Sequence, residues 1–136
     1  MKLNEKQFRV LSYTWGLPLT LVGTIVGAAM KATGHEEKQY GWCKYYEVGE
    51  HWGGCEFGPV FLKCKEDSQY LCDHEYGHAI QNCMYGPLMP FVVNLPSSVR
   101  YWYRRAKEAS GNPPKSEYDA VWFERQATKL GRKYIK

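Results

Sequence analysis

Polar and apolar positions divide the chain into an uncharged N-terminal run, a short alternating middle and three helical stretches. After a polar, basic start at residues 1–9, positions 10–30 carry no charge, and Gly16 and Pro18 interrupt them. Proline suits the first turn of a helix, where its missing N–H is not needed, so the pattern predicts a helix opening at Pro18. About fifteen residues then remain, roughly 22 Å at 1.5 Å per residue, short of the ~30 Å hydrocarbon core of a bilayer. Gly16, Thr20, Gly23 and Gly27 recur at helical spacing. Such a stripe of small residues lets another helix approach closely, in lipid or in a core. Residues 1–33 therefore read as an apolar, membrane-associated segment whose Gly23/Gly27 face is open to self-association. A buried core helix is the alternative. Basic residues flank the run on both sides (Lys2, Lys6 and Arg9; Lys31, Lys38 and Lys44), so charge does not orient it. A cleaved secretory leader is not expected, because Ala28-Ala29-Met30 is a poor cleavage site and the run is too long.

A polar linker at 32–39 leads to residues 40–48, rich in tyrosine and tryptophan and predicted as a strand. Three glycines at 49–54 mark a turn, and 55–63 follows as a second strand paired to the first. Pro59 removes a backbone donor there and assigns this strand to an edge or a bulge. The hairpin either serves as an edge to which an extended peptide adds or simply covers a helix. Residues 72–85 predict that helix, with Asp67 or Ser68 as its cap and Gly86-Pro87 as its stop. Residues 85–96 are apolar with three prolines and are not a regular helix throughout; wrapping the core is their simplest role. A helix over 97–109 capped by Ser97 follows, then a break at Gly111-Asn112-Pro113-Pro114. The last helix is predicted over 116–130, capped by Ser116 with Asp119 three residues on, and ended by Gly131.

The length of 136 residues suits one ordinary core. The net charge of +4 is uneven: three basic and one acidic residue in 1–30, five and nine in 31–89, ten and four in 90–136. A basic end fits a solvated helical face or an anionic partner, but no recognisable nucleic-acid motif accompanies it, so nucleic acid is not an expected partner. Five cysteines without a C-x-x-C pair do not form a disulfide framework.

The chemistry concentrates in His74-Glu75-Tyr76-Gly77-His78, the H-E-x-x-H pattern of zinc metallopeptidases. Residues four apart on a helix share a face, so His74 and His78 aim two imidazoles at one point. Glu75, one step off that face, is placed to act as general base toward a zinc-bound water. A catalytic zinc takes three protein ligands, and the third has several candidates. Met84 and Gln81 stand where a metzincin needs histidine and glycine, which excludes that class. Cys55 would give a site of the deformylase kind, but the glutamine-bearing, glycine-rich segment expected beside it is missing. Glu124 has Ala120, Val121 and Ala127 on its helical face, and a carboxylate there is costly to bury unless paired or bound to metal. Glu117 and Asp119 sit in the first turn of the predicted helix, where acids suit the dipole without further purpose.

With its H-E-x-x-H helix and a glutamate on a later one, the chain resembles the gluzincin zinc peptidases. The resemblance implies His74, His78 and Glu124 as Zn2+ ligands and Glu75 as base. It covers about a third of the chain. Many gluzincins carry E-x-x-x-D at the third ligand; here Thr128 replaces the aspartate that orients a ligand histidine. The chain also looks like small H-E-x-x-H proteins of bacteria that carry an apolar segment before the motif.

The expected architecture is α+β: an apolar N-terminal helix before a small zincin-like domain over 34–136, its hairpin beside the metal helix and its last helix packed across. The expected function is zinc-dependent peptide hydrolysis, with Tyr118, Tyr101 or Tyr103 as donor to the oxyanion. The rival is a non-catalytic, membrane-associated module, metal-stabilised or metal-free. An intramembrane protease is disfavoured, because Lys65-Glu66-Asp67 and Asp73 are too polar for lipid.

Overall fold

The apolar run does not form one helix. In the computed structural model, which describes residues 3–50, 52–65, 69–116 and 120–135, helix α1 spans Glu5–Ser12 and α2 spans Leu17–Ala32. The two are bent by 93° at the break. Asn4 caps α1 through a reciprocal box with Gln7 (2.8 and 3.1 Å), and Pro18 occupies the first turn of α2 as expected. No single described helix is long and apolar enough to cross a membrane.

The stripe of small residues is used within the chain. A Cβ on Gly23 would lie 2.1 Å from the Phe57 carbonyl oxygen, and one on Gly16 would run into Asn82. Gly27 rests on the ring of Tyr46. The Gly23/Gly27 face, expected to be open to a second copy, lies against this chain's own sheet. The outer row of α2, including Leu21, Val22 and Ile25, is exposed.

Both predicted strands are hairpins. Residues 40–48 hold the end of β1 (Lys38–Tyr40) and all of β2 (Cys43–Glu47), separated at Gly41, whose φ of +59° favours glycine. Residues 55–63 hold β3 (Gly54–Phe57) and β4 (Val60–Lys63), separated at Gly58 (φ +68°) and Pro59. Pro59 thus lies in a turn and weakens no ladder. The sheet order is β1-β2-β4-β3. Both hairpins are antiparallel, while β2 and β4 run parallel, with Tyr45 opposite Phe61. Those two rings stack at 4.9 Å, a cross-strand pair of the kind that fixes register. β3 is an edge because of this order, not because of Pro59.

Helix α3 spans Gln69–Tyr85; the cap expected at Asp67 or Ser68 lies outside the described residues. Gly86 ends it in the left-handed region, as predicted (φ +57°). The proline-rich segment then forms a 3-10 turn at Gly86–Leu88 and a π turn at Pro90–Asn94, and continues into α4, Leu95–Ala109. Each proline falls in the first turn of its own piece, where no donor is lost. Met89 and Val93 from this stretch join Leu19 and Phe123 in one apolar cluster, as expected of a core-wrapping segment. A larger cluster gathers Phe8, Cys43 and Phe61 around Tyr76, Ala79 and Ile80 of α3. Because α4 begins before Ser97, that residue is not its cap.

Helix α5 spans Trp122–Tyr134, starting later than predicted and running through Gly131. Ser116 is outside the helix, and Asp119 lies outside the described residues. Gly131 is not a stop. A Cβ there would sit 1.7 Å from the Asp73 carbonyl oxygen, and one on Gly77 would sit 1.6 Å from that of Ala127. These glycines let α3 and α5 touch backbone to backbone, which sets how near the last helix comes to the H-E-x-x-H turn.

Candidate metal centre

Every residue of α3 from Cys72 to Cys83 is buried, so its polar side chains need partners within the protein. The two histidines find theirs at Nδ1. His74 Nδ1 lies 2.9 Å from Thr128 Oγ1, which lies 3.3 Å from the Glu124 carbonyl oxygen. A hydroxyl has one proton, so a Thr128 that donates to this carbonyl accepts from His74 Nδ1–H. His78 Nδ1 is 2.7 Å from Gln81 Oε1. The Gln81 amide nitrogen donates to the Phe123 carbonyl (2.9 Å) and to Gln126 Oε1 (2.8 Å). This leaves Oε1 to accept from His78, and Tyr85 anchors the chain by donating to Gln126 Oε1 (2.8 Å).

With both protons at Nδ1, both Nε2 lone pairs point inward. The Nε2 atoms are 3.1 Å apart, and Glu124 Oε1 lies 3.4 Å from that of His74 and 3.0 Å from that of His78. Ligands about 2.0–2.1 Å from a tetrahedral zinc stand about 3.3 Å from one another, so the triangle is of the right size. Glu124 is fully buried on α5, and its Oε1 meets no polar partner besides the two imidazoles, while Oε2 accepts from Ser97 Oγ (3.0 Å). With both imidazoles neutral, three acceptor atoms would converge without a donor, which is costly; a cation at their centre resolves the conflict. Among the described residues these three form the single cluster with the geometry of a metal site.

Without a cation, a proton fills the same role. Burial disfavours charge on His78, yet Glu124, Glu75 and Glu56 together push its pKa up to about 9. Burial likewise opposes ionisation of Glu124, but hydrogen bonds and charge from His74 and His78 outweigh it and hold the carboxyl far below its usual range.

Glu75 is not part of the triangle. It lies against Gly54 of β3, where an added Cβ would come within 3.1 Å of its Oε2. Burial, with Glu124 and Glu56 nearby, raises its pKa to about 8 against the lowering influence of His78. A bound dication would oppose that rise. Glu75, His74 and His78 open onto a cavity of about 390 Å3, whose other walls come from Trp52, β3, the π turn and α4.

The remaining candidates separate clearly. Cys55 lines the cavity but does not join the cluster. Burial, then Glu75 and Glu56, pushes its thiol up to about 12, which keeps it protonated when no cation is bound. Tyr101 lines the same cavity, whereas Tyr103 is exposed and lines a separate surface groove; the structure does not place it at the centre. Tyr118, Glu117 and Asp119 lie outside the described residues.

Three participants escaped the sequence reading. Gln81 sits one turn past His78, a spacing that could have signalled it. Ser97 reads as a cap until the fold brings it to Glu124. Glu56 alternates inward on β3 and is almost fully buried in the cavity, where burial raises its pKa to about 7. It accepts from the Gly58 amide (2.6 Å) and more weakly from Asn94 (3.4 Å).

Thr128 invites a direct test. Replacing it with valine removes the acceptor of His74 Nδ1–H while keeping the shape. Zinc affinity, measured by competition with a chromogenic chelator, is expected to fall about 10- to 100-fold.

No protein-family model matches the chain, and comparisons with curated proteins and with solved structures give no significant match.

Proposed function

We propose that the protein is a zinc-dependent hydrolase of peptide bonds, of the gluzincin kind. His74, His78 and Glu124 are its metal ligands and Glu75 its general base. One observation carries this reading: two imidazole Nε2 atoms and a carboxylate oxygen from a separate helix converge, buried, within 3.0–3.4 Å of one another beside a cavity. Zinc, when held there, acidifies a water and polarises a carbonyl group. Glu75 faces the same cavity, takes the proton released and returns it to the leaving amine. Ser97 and Thr128 keep the ligands aligned, and Tyr101, which lines the cavity, is the candidate donor to the oxyanion. The edge strand β3 borders the cavity, so an extended peptide can add to it through backbone hydrogen bonds.

A purely structural zinc fits less well. Structural sites are closed by four protein ligands, whereas this triad has three and opens on a cavity. The test is hydrolysis of a mixed fluorogenic peptide library. Dialysis against dipicolinate is expected to abolish cleavage, and stoichiometric zinc to restore it. Cleavage that survives complete zinc removal counts against the proposal, as does a zinc-loaded protein that cleaves nothing.

A further inference from the structure

Helix α4 has no buried residue, and among the described elements only the preceding π turn is in extensive contact with it. An isolated helix of fifteen residues is marginal in water, yet its two long faces are unlike. One faces inward: Ser97 bonds to Glu124, and Asn94, Ser97 and Tyr101 line the metal cavity. The other carries Leu88, Phe91, Leu95 and Val99, between 57% and 70% exposed, and ends at Trp102, which is 68% exposed and also borders the metal cavity. The last three recur every three or four residues, which puts them on one side of α4. Arg105, which also lines the cavity, falls to one side of this row by helical rotation, Arg100 and Lys107 to the other. The helix carries four basic residues and one acidic residue.

We propose that α4 is an interfacial helix. It seats the protein on an anionic lipid surface through the Leu88–Trp102 row and holds the mouth of the metal cavity at headgroup level. The composition fits this occupant: an apolar row with an aromatic residue to sink below the headgroups, and basic edges to meet anionic lipid. A second copy fits less well, because packing two such rows together brings their basic edges into mutual repulsion. If the hydrolase reading also holds, the substrates reached first are peptides close to a membrane surface. That corollary rests on the proposed function; the docking itself does not.

The test is cosedimentation of the full chain with vesicles of phosphatidylcholine, with and without about 30% phosphatidylglycerol. Binding to the anionic vesicles is expected to be about tenfold tighter than to the neutral ones, and to weaken about tenfold in about 0.5 M NaCl. The combined change Leu95→Gln and Val99→Gln, both at exposed positions that do not line the cavity, is expected to cost about tenfold or more in binding while zinc content stays stoichiometric. Phe91→Gln alone gives a second, milder probe of the row. Anionic vesicles that leave the wild-type protein in solution overturn the proposal, as does unchanged binding by both variants. A dimer in sedimentation velocity that the double change dissociates, without vesicle binding, assigns the row to a second copy and also overturns it. Vesicle binding by a protein that cleaves no peptide supports the docking and counts only against the hydrolase.

Discussion

Replacing Glu75 with glutamine is expected to lower kcat about 10²- to 10⁴-fold, the span usual for losing a positioned general base, with zinc bound as before. The two effects separate because Glu75 contributes no atom to the ligand triangle. Glutamine keeps the length and packing against Gly54 but cannot accept a proton at neutral pH. KM should change little, since no binding interaction is removed. Steady-state kinetics on a cleaved peptide, with metal analysis of the same sample, decides the matter. Full activity in Glu75→Gln would remove this residue as the base, and loss of zinc would instead make it a ligand.

Gly77→Ala carries the second large expectation. Helix propensity alone favours alanine by about 1 kcal/mol, so an unobstructed site would be stabilised. Here the new Cβ would sit 1.6 Å from the Ala127 carbonyl oxygen. The obstacle is backbone, so α3 and α5 must separate, at a cost of about 3 kcal/mol or more, the upper end of overpacking effects. That separation also carries Glu124 away from His74 and His78. Urea unfolding should show the destabilisation, and the purified variant should hold less than stoichiometric zinc. A variant as stable as the wild type with full zinc would show that the two helices do not meet as described.

The parts of the site legible in the sequence are those whose chemistry is local or conspicuously misplaced. His74 and His78 lie one helical turn apart, so their convergence follows from helix geometry. Glu124 stands out as an acid among alanine and valine, and Thr128 sits one turn beyond it on the same face. What escaped were features that depend on conformation or on a distant partner. Gly41 and Gly58 look like interior strand positions, because an apolar pattern does not reveal a positive φ; each strand was therefore a hairpin. Gly131 and a helix-ending glycine are identical on paper, and only the Asp73 carbonyl at its door separates close approach from a stop. Ser97 reads as a cap because a hydroxyl before a helical stretch usually is one; that it meets Glu124 depends on how the π turn swings α4 over the cavity. Glu56 is one more acid in an acidic stretch until the sheet turns it inward. The small-residue stripe of α2 foretold close approach correctly but not its partner, since glycine admits a strand carbonyl as readily as another helix.

X-ray absorption at the zinc edge of the purified protein tests most directly whether two imidazoles and one carboxylate hold a zinc ion. The prediction is a shell of nitrogen and oxygen at about 2.0–2.1 Å with the outer-shell pattern of imidazole, altered in Glu124→Ala. A sulfur shell at about 2.3 Å, which would bring Cys55 into the site, or a protein that takes up no zinc, would contradict it.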